Sequence, residues 1–221
     1  MAHRIAWSVS HHEFTIEDGY YFSVLRRALE QAGVQVVPVE RLEDAFDAPV
    51  LVLNYPEDPF TPEEVNWLRA YVAQGGRLVA LAYYQNEDRV AEILNAVARP
   101  FGLRFGYDYV QDPVHKHGED PYMVVTCRVN GVPGVARVLL PYAAPVHLED
   151  RETLQVLVEA EATAQAPSGS RVLAAQARHG RGTFIAIGTC VFWDNYAITA
   201  YDNLAFAFYL LGVPRNTPRK E

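Results

Sequence analysis

The sequence predicts an α/β protein with a mostly parallel sheet, helices on both faces and an antiparallel, β-rich extension. Up to about residue 105, apolar strands alternate with amphipathic helices, which is the order of βαβ units. Between residues 107 and 177 the helical periodicity fades, and short β-rich runs separated by turn residues replace it. A chain of 221 residues suits one large α/β domain, to which we assign residues 1–214.

The first predicted unit is a strand, a helix and a second strand. Residues 5–9 form the first strand, and a helix follows that Asp18 caps and Gly33 ends, because its apolar residues recur at helical spacing. The second strand, residues 34–39, contains Pro38, which cannot donate a hydrogen bond to a neighbouring strand. We therefore place this strand at an edge of the sheet, in agreement with a 2-1-3-4-5 strand order.

The next unit has the clearest helix start in the chain. Residues 50–54 and 78–82 are continuously apolar, as buried parallel strands are. Between them, Thr61 and Glu64 have the spacing of a capping box around a proline at the first helical position. A third amphipathic helix is predicted over residues 90–101.

The second half is predicted to be antiparallel until its end, with residues 107–177 extending the sheet or covering it as a flap. We expect a hairpin at 178–182, a last parallel strand at 183–187 and an entirely buried helix at 204–211. The first and last parallel strands should lie side by side, with their polar ends opening into a common hollow. Residues 215–221 should be a frayed tail. The β-rich runs cover residues 122–129, 135–140, 154–162 and 171–177.

Composition excludes several classes of protein. The formal net charge is -8, with 19 Lys and Arg against 27 Asp and Glu, which disfavours nucleic acid as a partner. No apolar run is long enough to cross a membrane, and residues 1–5 lead directly into a strand without a signal peptide. Two cysteines do not suggest a disulfide framework. We therefore expect a cytoplasmic protein without membrane insertion.

Polar and aromatic side chains follow four of the predicted parallel strands. Since the carboxyl ends of parallel strands meet at one edge of a sheet, where α/β proteins bind ligands, we expect these side chains to border a cleft. Aromatic faces and amides suit an organic ligand. The alternative for each is a structural role in the rim or in a hydrogen-bonded loop. The candidates are His11, His12, Glu13, Asn54, Tyr55, Tyr83, Tyr84, Cys190 and Asp194.

Four histidines are candidate metal ligands. His11 and His12 follow the first strand, and His115 and His117 have a spacing that puts both rings on one side of an extended segment. Together they could hold a divalent metal, although adjacent histidines on an extended chain point in opposite directions. The alternative is a pair of polar surface loops. No other cofactor is predicted.

Cys190 is the candidate nucleophile. A thiol at the end of a buried strand could react if a histidine approached it. The chain has no nucleophile-elbow pattern around a cysteine and no obvious paired base, and small buried cysteines are common in protein cores.

Five segments together carry a family resemblance: residues 10–14 (SHHEF), 60–64 (FTPEE), 71–78 (YVAQGGRL), 180–195 (GRGTFIAIGTCVFWDN) and 202–203 (DN). They resemble the GIFT-type, class I glutamine-amidotransferase-like domains, which occur in intraflagellar-transport proteins and in bacterial proteins of unknown function. The resemblance spans nearly the whole chain and implies a flavodoxin-like, three-layer α/β sandwich.

The resemblance does not imply an enzyme. True class I amidotransferases carry a catalytic cysteine on the turn after the strand that here is residues 78–82, but this chain has Tyr83, Tyr84 and Gln85 there. A tyrosine hydroxyl, with a pKa of about 10 against about 8.5 for a thiol, cannot replace it at neutral pH. Relatives without this cysteine are thought to act in binding or assembly.

Three functions follow as expectations. The first is a non-catalytic domain that binds a small molecule, a carbohydrate or a protein partner at the carboxyl ends of the strands. The second is a metal-dependent or cysteine/histidine-based hydrolase that uses the same cleft. The third is an assembly subunit, with a homo-oligomer as one form, whose tyrosines and tryptophans form the interface.

Overall fold

The computed structural model describes residues 3–149 and 152–214, which form an α/β sandwich. The helices are α1 (Gly19–Gln31), α2 (Pro62–Ala73), α3 (Val90–Ala98) and α4 (Asn203–Leu210). The strands are β1 (His3–Ser8), β2 (Val34–Val39), β3 (Val50–Asn54), β4 (Arg77–Leu81), β5 (Leu103–Phe105), β6 (Met123–Thr126), β7 (Val138–Pro141), β8 (Val146–Leu148), β9 (Leu154–Glu159), β10 (Val172–His179) and β11 (Gly182–Ile187).

The central sheet has seven strands in the order β2-β1-β3-β4-β11-β10-β9. The five strands from β2 to β11 are parallel, and β10 and β9 extend the far edge in antiparallel fashion. This confirms the mostly parallel sheet and its antiparallel extension. It also places β2 at the edge, as Pro38 predicts.

The expectation that the first and last parallel strands are neighbours was wrong. β11 pairs with β4, so β3 and β4 lie between it and β1. All these strands run in the same direction, however, and their carboxyl ends therefore lie along one edge of the sheet.

The helix signals in the sequence act as predicted. The Asp18 side chain accepts a hydrogen bond from the backbone N–H of Tyr20, at 2.9 Å. In the capping box of α2, the Glu64 N–H donates to Thr61 Oγ1 at 3.2 Å, and the Thr61 N–H donates to Glu64 Oε2 at 2.7 Å. The predicted full burial of the last helix was wrong, because α4 buries one face and leaves the other partly exposed.

The β-rich segment does more than extend the sheet. Its strands β9 and β10 belong to the central sheet, while β5 pairs with β8 and β6 with β7 in two small antiparallel sheets. β5 and β8 are three residues each, too short for a periodicity to predict them.

The core joins the helices to the sheet near the carboxyl edge. The Trp7 ring lies 5.7 Å from that of Phe22 on α1 and 5.0 Å from that of Trp193, centroid to centroid. Trp7 and Trp193 are fully buried, and Trp67 is partly buried, so two of the three tryptophans proposed for an interface lie in the core. No helix within the described part of the chain is long and apolar enough to cross a membrane. Residues 215–221, the predicted tail, lie outside the described residues.

Candidate functional site

A cleft of about 290 Å³ lies at the carboxyl edge of the sheet. Loops after four parallel strands line it: Phe14 follows β1, Tyr55 follows β3, Tyr83 follows β4 and Cys190 follows β11. We call it the tyrosine cleft. Its lining residues are Phe14, Tyr21, Phe22, Tyr55, Tyr83, Glu87, Asp88, Cys190, Val191 and Asp194.

Aromatic rings form one continuous wall of this cleft. The ring centroids of Phe14 and Tyr21 lie 5.3 Å apart, those of Phe14 and Tyr55 lie 5.2 Å apart, and those of Tyr55 and Tyr83 lie 5.8 Å apart. Neighbouring rings are tilted by 56°, 49° and 63° respectively. The wall is therefore curved rather than flat.

A second compartment of about 500 Å³ continues the cleft outward. It shares four residues with the tyrosine cleft: Tyr21, Tyr83, Val191 and Asp194. Tyr142 borders it and joins it to the β-rich segment, and Tyr20 and Tyr196, which are 82% and 68% exposed, stand at its mouth. Tyr84 lines neither compartment; its ring centroid lies 4.9 Å from that of Tyr83 and 5.3 Å from that of Tyr142.

The hydroxyls of Tyr55 and Tyr83 remain protonated at neutral pH. Burial raises the pKa of Tyr55, and its hydroxyl also donates to Asp88 Oδ2 at 2.8 Å, which raises the pKa further. Burial likewise raises the pKa of Tyr83. Both side chains can therefore present aromatic faces, and the Tyr83 hydroxyl can donate a hydrogen bond, but neither can act as an anionic nucleophile.

Asp194 lies where the two compartments meet. Its Oδ1 accepts the backbone N–H groups of Tyr196 and Ala197, at 2.9 and 3.2 Å. Burial raises the pKa of the carboxyl to about 6, although these two hydrogen bonds act in the opposite direction. At neutral pH the cleft thus contains a desolvated carboxylate.

Cys190 is 8% exposed, and the cleft around it contains no histidine. Burial raises the pKa of its thiol, and the nearby charge of Asp194 raises it further. The side chain is therefore a neutral thiol at physiological pH, without the base that a cysteine nucleophile needs.

Backbone strain is concentrated in the loop after β4. Gln85, Asn86, Asp88 and Arg89 all have left-handed backbone angles, with φ between 50° and 63°. Such a conformation costs about 1–2 kcal/mol for most residues other than glycine. Hydrogen bonds hold the loop in place, among them the one from Gln85 N–H to the Asp108 carbonyl at 2.8 Å. Strain of this kind is characteristic of functional sites.

His11 has a structural role and does not line the cleft. The residue is 5% exposed, and its ring stacks on that of Phe60 with the two centroids 4.0 Å apart. Nδ1 lies 2.7 Å from Ser10 Oγ, and Nε2 lies 3.4 Å from Glu64 Oε2. Both ring nitrogens therefore already have partners within the protein.

The four histidines do not converge on a metal. His12 pairs with Asp58 at 2.9 Å on the surface, His115 contacts Thr163 at 2.8 Å, and His117 lies 3.4 Å from the Tyr201 hydroxyl. Within residues 3–149 and 152–214, no three His, Cys, Asp or Glu side chains are placed to hold a metal ion. The proposed metal site is thus not formed, because each imidazole is held by a different neighbour.

Asn54 and Glu13 also face into the protein. Asn54 is fully buried; its side chain donates to the Phe14 carbonyl at 3.3 Å and accepts from the Trp193 indole at 3.3 Å. Glu13 is 6% exposed and accepts the His11 N–H at 2.7 Å. Of the nine predicted ligand-binding residues, the cleft lining therefore contains Tyr55, Tyr83, Cys190 and Asp194.

Other residues of the site were not predicted from the sequence. Phe14, Glu87 and Asp88 line the cleft, and Tyr21, which fits the helical pattern of α1, points into it. Two asparagines hold the loop that carries Asp194. Asn195 Oδ1 accepts the Val24 N–H at 2.9 Å, and the buried Asn203 donates to the carbonyls of Phe192 and Ala197 at 2.9 and 3.1 Å. Asn195 and Asn203 occur in the segments that carry the family resemblance, the only sequence signal that marked them.

Solved structures with a similar fold have little sequence identity to this chain. The N-terminal domain of mmIFT52 superposes with a TM-score of 0.79 at 16% identity, covering 96% of this chain and 98% of that one. A cold-adapted β-galactosidase from Rahnella sp. R3 gives 0.57 at 14% identity, covering 97% of this chain but 32% of the enzyme. A cytoplasmic protein from Salmonella typhimurium LT2 gives 0.54 at 13% identity, covering 96% of this chain and 99% of that protein. At these identities the likeness shows the fold alone.

Sequence similarity identifies the family. An uncharacterized protein from Aquifex aeolicus (strain VF5) is 40% identical over 223 residues, covering 96% of this chain and 94% of that protein. The profile of a domain of unknown function, DUF4350, matches residues 18–211. This range includes most of the tyrosine cleft, from Tyr21 to Asp194. The chain therefore belongs to the DUF4350 family.

Proposed function

We propose that this protein is a non-catalytic binding domain of the amidotransferase-like type, with a flavodoxin-like three-layer fold, and that it binds a small molecule in the tyrosine cleft. The observation that carries the proposal is the position of this cleft. It lies at the carboxyl ends of the parallel strands, where open α/β sheets bind ligands, and it combines an aromatic wall with a few polar groups, as ligand sites do.

The turn after β4 supports a binding role over glutamine hydrolysis. The left-handed residues of this turn are Gln85, Asn86, Asp88 and Arg89, none of which carries a thiol. The nearest thiol in the cleft, on Cys190, is buried and neutral. Glutamine hydrolysis through a cysteine nucleophile has no candidate group here, and the hydrolase alternative has no base beside Cys190.

Binding can be tested on protein labelled with 3-fluorotyrosine, by recording ¹⁹F NMR spectra during titration with small neutral, cationic and anionic compounds. Tyr→Phe variants assign the signals of Tyr55, Tyr83 and Tyr142. We expect compounds that bind to shift the signals of Tyr55 and Tyr83. The signal of Tyr107, which is 48% exposed and lies outside the cleft lining, serves as the internal control. Shifts confined to tyrosines elsewhere would contradict the proposal.

Catalysis is tested separately, with L-glutamine and with p-nitrophenyl acetate as substrates. We expect no turnover above that of a Cys190→Ala variant. Turnover that this variant abolishes would favour the hydrolase alternative. A nucleic acid partner is not part of the proposal, since the net charge of -8 repels phosphates. A cytoplasmic location and a homo-oligomeric state remain predictions from the sequence.

A further inference from the structure

We infer that the ligand of the tyrosine cleft is an organic cation, an ammonium compound whose positive group lies against the aromatic wall beside Asp194. This inference deepens the proposed function and rests on it. Three observations carry it: the sign of the charges around the cleft, the shape of the aromatic wall and the position of Asp194.

The charged side chains that line the cleft are all negative. Its lining includes the carboxylates of Glu87, Asp88 and Asp194 but no Lys, Arg or His, and the adjoining compartment adds no basic residue. Within the described ranges of the chain, none of these three carboxylates forms an ion pair. A phosphate or carboxylate ligand would be repelled at close range, whereas a cation would supply the missing counter-charge.

The aromatic wall suits a rounded cation better than a flat ring. The faces of Tyr and Phe rings attract cations within about 6 Å of the ring centroid. Because the rings of Phe14, Tyr21, Tyr55 and Tyr83 are tilted by 49–63° to their neighbours, they surround a volume rather than form a flat platform. A sugar ring stacks on a flat platform, but a substituted ammonium group can contact several differently oriented ring faces at once.

Asp194 is placed to select for charge. It borders both compartments, and its carboxyl is partly withdrawn from water, which raises its pKa. A neutral ligand would leave this carboxylate without a counter-ion, while a bound cation would stabilise it. Its Oδ1 is held by two backbone N–H groups, so the carboxylate is preorganised.

A matched set of probes tests the inference. Choline and 3,3-dimethylbutan-1-ol have the same shape, since a quaternary nitrogen in the first replaces a carbon in the second. The anionic probe is 3,3-dimethylbutanoate, and the sugar probe is methyl β-glucoside. Titrations monitored by ¹⁹F signals of 3-fluorotyrosine give an affinity for each. We expect choline to bind at least about 10-fold more tightly than the neutral alcohol, and the anion not to bind.

Variants connect the effect to the cleft. Asp194→Asn keeps the side-chain shape and should weaken choline binding about 10-fold while leaving the neutral alcohol unchanged. Tyr83→Leu should weaken choline roughly 2- to 30-fold. Tyr107→Leu, outside the cleft, should have no effect. The ¹⁹F spectra of each variant also report whether it is folded.

The outcomes separate the two proposals. If the neutral alcohol or the sugar shifts the cleft tyrosines as strongly as choline, and Asp194→Asn changes nothing, the cleft binds ligands but the inference about charge is overturned. If the anion binds best, it is likewise overturned. If no probe shifts the signals of Tyr55 or Tyr83 at millimolar concentration, both the inference and the proposed function fail.

Discussion

Two groups of polar residues at the same edge of the sheet behave in opposite ways. The first is the histidine loop, residues 9–13, together with Asn54; the second is the tyrosine cleft. In the histidine loop, His11 and Asn54 have hydrogen-bond partners within the protein. In the cleft, the carboxylates of Glu87, Asp88 and Asp194 lack ion-pair partners among the described residues. Position at a strand end therefore does not by itself bring a side chain to the cleft; the cleft carboxylates differ from His11 and Asn54 in having no positively charged partner in the described part of the chain, although Asp88 and Asp194 accept hydrogen bonds.

The contrast is sharpest between two consecutive residues. Asn54 is the last residue of β3, and its side chain is fully buried and connects the loops after β1 and β11. Tyr55 follows with a φ of 65°, and this left-handed step turns its ring into the cleft. One change of backbone direction separates a buried structural residue from one that lines the cleft.

The largest effect is expected from Asn203→Ala. This buried side chain makes four hydrogen bonds to backbone groups, including both the N–H and the carbonyl of Leu139. Removing it leaves buried groups unsatisfied, and we expect a loss of about 2–4 kcal/mol in the free energy of unfolding, measured by urea denaturation. Asn66→Ala on the exposed face of α2 is the control. Equal stability of the two variants would contradict the structural role of Asn203.

The two adjacent histidines provide a matched pair. His11→Ala should lower the free energy of unfolding by about 1–3 kcal/mol, because it removes the stacking on Phe60 and the contacts of the ring nitrogens with Ser10 and Glu64. His12→Ala, at an exposed position, should change it by less than about 0.5 kcal/mol. Thermal denaturation compares the two. The reverse order would contradict the structural role of His11.

Replacing a carboxylate of the cleft should stabilise the protein, whereas replacing these structural residues should destabilise it. The pKa of Asp194 in the folded protein, about 6, lies above its ordinary value of 3.8, so the folded state holds this proton more tightly than the unfolded state. The contribution of Asp194 to the free energy of unfolding therefore rises as the pH falls through 6 towards 4. Asp194→Asn should be more stable than wild type by about 1–2 kcal/mol at pH 7, with the difference vanishing near pH 4.

Urea denaturation at pH 7, 5.5 and 4 measures this difference. Cys190, Tyr55 and Tyr83 stay protonated over this range because burial raises the pKa of each. Asp18→Asn, at a partly exposed helix cap outside the cleft lining, is the control for a generic carboxylate effect. A destabilised Asp194→Asn at pH 7 would mean that the carboxylate stabilises the fold, against its assignment to the binding site.

The smallest effect is expected in the strained loop. Gln85 is exposed with a φ of 56°, so Gln85→Gly should relieve strain and stabilise the protein by about 0.5–1 kcal/mol. Arg69→Gly, in the helical backbone of α2, should destabilise it by about 1 kcal/mol. Urea denaturation of both variants measures the two changes in the free energy of unfolding. Loss of stability in Gln85→Gly would show that this loop is not strained.

The fold could be read largely from local sequence patterns. Continuous apolar strands, the Asp18 cap, the capping box at Thr61 and Pro38 at a sheet edge each depend on neighbouring residues, and the structure contains all of them. The short pairs β5–β8 and β6–β7, and the insertion of β3 and β4 between β1 and β11, depend on pairing between distant segments, for which local periodicity carries no signal.

The sequence alone determined that polar and aromatic residues would meet at one edge of a parallel sheet, because strand direction and strand ends are local properties. Only the tertiary structure decided which of them would line the cleft. The His11 ring stacks on Phe60 and contacts Glu64. The Asn54 side chain hydrogen-bonds to Phe14 and Trp193, so that both residues are buried in the fold. Tyr55, Tyr83 and Asp194 remained at the cleft. The physical reason is that the packing and hydrogen-bond partners that draw a side chain into the fold come from segments far away in the sequence.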